Sequence, residues 1–426
     1  MKRTAPIFLL LLLASSWQYC FSFDFDKALS DEVYPFVISE PPPPVGSTYK
    51  DPVFGSDIVR ITNIRKGNPH TKAKGVVNEY ARFDPLNADG SLAIFHGTNG
   101  YWFLYDMKTL EYKKAILGQG RLEPRWDKTD PNVLFYISDK RFYKYNVKNK
   151  KKTLLYNVKK EYPEASWITT QGEGSGSEDR KYWAFMVVKY SNMKKEKTFL
   201  DWIVFDAETQ KVISRYSEVN NKKIADANTI SMSMTGDYIL AETDVAQVFN
   251  RDWTNGRKLP GRHGHGDLAL SIDGRDVFVS QDTSTDFFTM IYLDTLEEVN
   301  LMVLPFQAPK DGGVSAAGYH ISGNSYKTPG WVLVSTYGEN KTRSHWGDGT
   351  LFLLELKENG RHLRVANTFT NTAPVDKDYW SEAFAAIDRQ GKYVVWGSNW
   401  GIIKKNYSDV YKLTLPENWY QKLSEK

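Results

Sequence analysis

Arg262-His263-Gly264-His265-Gly266-Asp267 is the densest concentration of metal-ligating and proton-transferring side chains in the 426-residue chain. Alternate residues of a strand face one way and lie roughly 6.5 Å apart, so two of them can reach one ion, as His-x-His pairs do. All three of His263, His265 and Asp267 can do so only if the glycines bend the chain. The cofactor of such a site would be a divalent ion, calcium or zinc, with His320, Asp226 and Glu382 available from elsewhere as further ligands. Histidines that simply bond substrate or backbone are the alternative. Arg121, Glu123 and Arg125 also have i, i+2 spacing and project together if that run is extended. An Arg fork grips a carboxylate in two parallel bonds, whereas an internal Arg121–Glu123 salt bridge is the plainer reading. Asn78, Glu79, Glu173, Asn228, Tyr319, Tyr379 and Ser381 complete the polar positions that recur at matching points of successive apolar runs.

The elements that must position these groups are strands. Runs begin near Tyr80, Arg121, Glu173, Asn228, Asp267, Gly318 and Glu382. Each is followed by turn chemistry such as Asn87-Ala88-Asp89-Gly90, Thr235-Gly236-Asp237, Asp273-Gly274 or Thr328-Pro329-Gly330. Gly accepts positive φ, Pro fixes φ, and Asn or Asp bonds its own backbone, so these are hairpin signals. Short strands repeating every 40 to 60 residues or so point to radially stacked blades. The expected fold is all-β: a seven-bladed β-propeller, with six or eight blades as alternatives, forming one domain over residues 58–426. The last repeat offers only Ala383–Ile387, Tyr393–Trp396 and Asp409–Thr414, so the lone run Ile58–Thr62 is expected to supply its fourth strand and close the ring. Polar groups at the start of each inner strand then share one basin at the channel mouth. Trp102, Trp126, Trp183, Trp346, Trp380, Trp396 and Trp400 belong either to the core or to a sugar-stacking surface.

Residues 1–22 have the pattern of a secretory signal peptide. Lys2 and Arg3 precede an apolar stretch from Ile7 to Ala14, too short to span a membrane, and small residues follow. Residues 23–57, with prolines 41 to 44, read as an extended leader on the surface. Loss of Cys20 with the signal leaves no cysteine for a disulfide, and loss of Lys2 and Arg3 lowers the formal charge from +4 to +2. Near-neutrality argues against a nucleic-acid partner, and the Lys148–Lys152 and Lys194–Lys197 runs read as solvated hairpin tips. The mature chain is expected to be secreted or periplasmic and monomeric, with no membrane span. Asn340-Lys341-Thr342 and Asn406-Tyr407-Ser408 fit the N-glycosylation pattern.

The stretches Glu79 to Ser91 (EYARFDPLNADGS) and Glu123 to Asn132 (EPRWDKTDPN), with the later His263-Gly264-His265-Gly266-Asp267, resemble secreted propeller polysaccharide lyases of the ulvan lyase and oligogalacturonate lyase groups. The resemblance implies an acidic, uronic-acid-containing polysaccharide as partner and β-elimination as the reaction. An Arg or a metal would neutralise the sugar carboxylate, a His or Tyr would remove the neighbouring proton, and an acid would protonate the leaving oxygen. On that basis His320 or His265 is the base, Tyr319 the acid, and Arg121 or Arg125 the carboxylate partner. Glu79, Asn228 and Glu382 are substrate-binding candidates. No spacing marks the facing carboxylate pair of a glycoside hydrolase, and no Gly-x-Ser-x-Gly elbow is present. A non-catalytic carbohydrate- or protein-binding propeller is the competing class.

Overall fold

A computed structural model of the chain describes residues 22–38, 40–65, 72–191, 196–216, 227–243, 245–305, 318–337, 345–372 and 378–424. The signal segment with Cys20, Lys194, Asp226 and the Asn340 glycosylation pattern lie outside them. Seven antiparallel sheets form a propeller. Six have four strands in simple meander order, including the irregular fourth repeat, whose strands are Thr229–Met232, Tyr238–Glu242, Gln247–Asn250 and Arg257–Lys258. The innermost strands are Val76–Val77, Arg125–Trp126, Trp167–Thr169, Thr229–Met232, His263–Leu270, Gly318–Ser322 and Ala386–Ile387.

Blades stack face to face through seven separate apolar clusters, one at each blade interface. Between the second and third blades, for example, Phe135 and Phe142 meet Trp183, Phe185 and Phe205. Strand alternation sends one set of side chains to each neighbouring blade, so both faces of a blade are apolar. The turns between third and fourth strands repeat one device: Asp106, Asn146 and Asp206 each accept the amides two and three residues on.

The seventh blade is closed by the start of the chain. Asp57–Arg60 pairs with Asp409–Thr414, Ile58 opposite Leu413 and Arg60 opposite Tyr411. Asp409 locks the seam: it accepts Arg60 Nη2 at 2.6 Å, Tyr407 Oη at 2.8 Å, Thr62 Oγ1 at 2.7 Å and the Ile64 amide at 2.9 Å. The segment expected to lie on the surface does more. Thr48–Lys50 adds a fifth strand outside Asp57–Arg60, and Phe54 is fully buried with Trp419 and Leu423 of the short C-terminal helix Trp419–Ser424. Arg364 binds the leader through the carbonyls of Lys27, Ser30 and Glu32. Among the described residues no helix is long and apolar enough to cross a membrane.

Candidate functional site

Each inner strand starts at one mouth of the channel and ends at the turn into its second strand. The polar groups at those starts divide into two kinds. Some are consumed in joining blades. Glu123, at φ 49° and buried, does not project with its neighbours; it accepts Thr169 Oγ1 at 2.5 Å, Thr170 Oγ1 at 2.7 Å and the Thr170 amide at 2.9 Å. Arg125 is buried, its guanidinium 3.1 Å from the Phe83 ring centroid. It donates to the carbonyls of Pro124, Gly172 and Gly174 and to Glu79 at 3.0 Å. Asp267 accepts the amides of Leu268 and, from the next blade, Gly323 at 2.7 Å. With its fork saturated, Arg125 has nothing left to offer a ligand.

His263, His265 and Asp267 do not converge. The pairing register slips between His263 and Gly266, a bulge that re-aims side chains. His263 Nδ1 lies 2.8 Å from Ser280 Oγ, Asp267 turns to the inter-blade seam, and His265 enters the mouth. There His265 Nδ1 lies 3.0 Å from the Tyr80 hydroxyl, a contact that either atom can donate. The glycines make room: a Cβ on Gly264 would stand 2.5 Å from Tyr319 Oη, and one on Gly266 2.5 Å from Phe278.

The remaining groups gather around His265. His320, fully buried, lies with its ring 4.9 Å from that of His265 and 5.2 Å from that of Tyr80. It stacks on Tyr337 at 5.0 Å, and its Nε2 meets Glu382 Oε2 at 3.0 Å. Arg82, which the sequence reading passed over, holds Glu242 in a bidentate pair at 2.5 and 2.9 Å, with Glu173 at 3.9 Å. Tyr319 points the other way, into the core between the fifth and sixth blades beside Phe288, and its hydroxyl donates to the His265 carbonyl. Arg121 is exposed on the rim, donating weakly to the Gln171 carbonyl at 3.4 Å, and its charge bears on Glu79, Glu173 and Tyr379. Asn228 is exposed nearby in sequence to the fourth inner strand, its amide bonded to the Glu242 carbonyl. Tyr379 is 47% exposed, and six of the seven candidate tryptophans are buried core, Trp380 alone being half-buried.

Titration follows from these surroundings. The walls of the mouth, then the neighbouring His320 and Arg82, lower the His265 pKa to about 4. The residue is nevertheless exposed, so a neutral imidazole is held at the mouth at pH 7. Burial lowers His320 to about 3 and raises Glu382 to about 7, which makes their contact a hydrogen bond rather than an ion pair. Burial also raises Glu79 to about 7, against the pull of Arg125, and lifts Tyr80 far above a phenol's ordinary range, so its hydroxyl keeps its proton.

No protein-family model matches the chain, and no curated protein matches it. Solved structures do. It is similar to an oligogalacturonate lyase solved in complex with manganese, at 18% identity and a TM-score of 0.60, over 87% of this chain and 96% of that one. It is also similar to the oligogalacturonate lyase of Vibrio parahaemolyticus, at 16% identity and a TM-score of 0.61, over 88% and 97%. At these identities the likeness is one of fold. The side chains here do not assemble a metal site: among the described residues no three of His, Cys, Asp and Glu come together to hold an ion. His263 and His320 each keep one buried ring nitrogen without a partner, Nε2 and Nδ1, but no described side chains complete a ligand set around either, so the described residues do not fit calcium, zinc or manganese.

Proposed function

We propose that the mouth cleaves a uronic-acid-containing polysaccharide by β-elimination. The observation that carries this is a neutral imidazole on the exposed residue His265, 3.0 Å from the proton-retaining hydroxyl of Tyr80, at a mouth whose rim carries the exposed residue Arg121. Arg121 grips the sugar carboxylate and makes the proton on the adjacent carbon acidic. His265 Nε2 takes that proton while Nδ1–H donates to the Tyr80 oxygen, an orientation that leaves the Tyr80 hydrogen free for the leaving oxygen. The carbon–oxygen bond breaks, its electrons go to the leaving sugar, and the C–H pair becomes the new double bond. Tyr80 protonates the leaving oxygen and is restored by the Nδ1 proton of the imidazolium.

The fold shared with oligogalacturonate lyases supports this reading. Incubation with pectate, short oligogalacturonates and ulvan should raise the ultraviolet absorbance of the conjugated unsaturated product. His265→Ala, Tyr80→Phe and Arg121→Ala should each lower the rate by about 10²–10⁴, the range for lost acid–base or charge stabilisation. No absorbance from a folded sample on any uronic polymer, or full activity in His265→Ala, refutes the proposal.

A further inference from the structure

The second blade has a peculiar outer edge. Nine lysines and arginines and no acidic residue fall between Lys140 and Lys160, in a chain whose formal charge is only +4. Eight of the nine are exposed, and among the described residues none forms an ion pair. Glu161, just beyond, is taken by Arg215 of the third blade, and Asp106 of the first blade by Lys113. The strands Arg141–Asn146 and Lys152–Asn157 run side by side, Lys152 opposite Tyr145 and Asn157 opposite Arg141. The charges therefore follow the blade for its whole height, roughly 20 Å at strand rise.

Solvated hairpin tips shed their charge into water and crowd nothing. Here the cations line one edge with no carboxylate among them. Lys114 reaches from the first blade to the Val147 carbonyl at 3.3 Å, and burial, then the Lys150 charge, lowers its pKa. Lys152 stands 3.7 Å over the Tyr143 ring, and burial, then Arg141, lowers its pKa in turn. A row of exposed, unpaired cations of this kind attracts a polyanion laid along it.

We propose that the edge from Arg141 to Lys160 is a second binding stripe for the anionic polysaccharide, holding a length of polymer away from the mouth that cleaves it. The identity of the polymer rests on the function proposed above. Its chemistry favours carboxylate or sulfate sugars over nucleic acid: eight of the nine cations are lysines, compact point charges, and Tyr143 and Tyr145 are packed against the first blade instead of standing free to stack on bases.

The test is affinity electrophoresis of the full chain through polygalacturonate, beside the triple variant Lys148→Glu/Lys150→Glu/Lys151→Glu in the exposed turn. Binding should weaken about tenfold, since three exposed charges of modest worth are lost. Lys159→Glu/Lys160→Glu, at the other end of the stripe, should weaken it as well. KM on the polymer should rise with it, and KM on a short oligogalacturonate should not. Unchanged polymer affinity in both variants overturns the stripe, as does tighter binding of duplex DNA through the same lysines at the same salt. Binding is read without turnover, so a chain that binds through the stripe but yields no unsaturated product loses the lyase proposal alone, while an active chain indifferent to both variants loses the stripe alone.

Discussion

Replacing Asp409 by alanine should open the ring. Asp409 is fully buried and serves four donors from three places: Arg60 and Thr62 on the closing segment, the Ile64 amide beyond it, and Tyr407 on its own side. Alanine strands the Arg60 guanidinium, itself 5% exposed, with no second anion in contact among the described residues. Breaking a buried ion pair from one side costs about 3–5 kcal/mol, and the orphaned Thr62 hydroxyl and Ile64 amide push toward the upper end. A loss of about 4 kcal/mol is close to a thousandfold change in the folding equilibrium. The neighbouring Lys50–Asp57 pair is the control: at 2.7 Å it ties the same closing strand to the outer strand Thr48–Lys50 instead of to Asp409–Thr414, and its side chains are 45% and 51% exposed. Asp57→Ala should therefore move stability by less than about 0.5 kcal/mol. Urea unfolding followed by tryptophan fluorescence gives both values, with m checked for constancy. Limited proteolysis ahead of Ser47 shows whether the released strand is the cause. Equal midpoints for Asp409→Ala and Asp57→Ala would refute the view that this carboxylate holds the ring shut.

If His265 is the base, kcat/KM should rise as pH climbs through about 4 and then level. The sign follows from a lowered pKa, which keeps the imidazole unprotonated and competent at all higher pH. Initial rates on an acid-tolerant substrate check this, and a limb at the ordinary histidine value of about 6.5 would assign the step to another group. Gly264→Ala puts a methyl 2.5 Å from Tyr319 Oη. It should cost about 1–3 kcal/mol by overpacking and shift His265 enough to lower activity further than stability, measured as residual rate in fully folded protein.

The blades were legible because their turns are local. Asp89-Gly90 and Asp273-Gly274 announce a hairpin whatever surrounds them, and both glycines sit at positive φ, 71° and 80°. Seven such signals pointed to seven blades over six or eight, and the unpaired run near Ile58 pointed to the closure. The mouth was less legible because its geometry depends on departures from strand alternation. Tyr319 and His320 are adjacent, so only one can face the channel; His320 does, and Tyr319 fills a blade interface. Regular alternation would send Arg121, Glu123 and Arg125 together, but the left-handed Glu123 parts them. Tyr80 and Arg82 lie in an irregular turn of the first inner segment, and their partners come from other blades, Glu242 being 160 positions from Arg82. No spacing rule connects residues that far apart.

The closing seam also has a timetable. Arg60 and Asp409 are 349 positions apart, so at ordinary synthesis rates the first strand waits roughly 20 to 70 seconds for its partner. Through that interval six blades can complete behind it while Asp57–Arg60 remains an open edge. A chain cut short before Asp409–Thr414 can build most of its core and still display an unpaired strand, marking itself as unfinished to any protease or chaperone that recognises exposed edges.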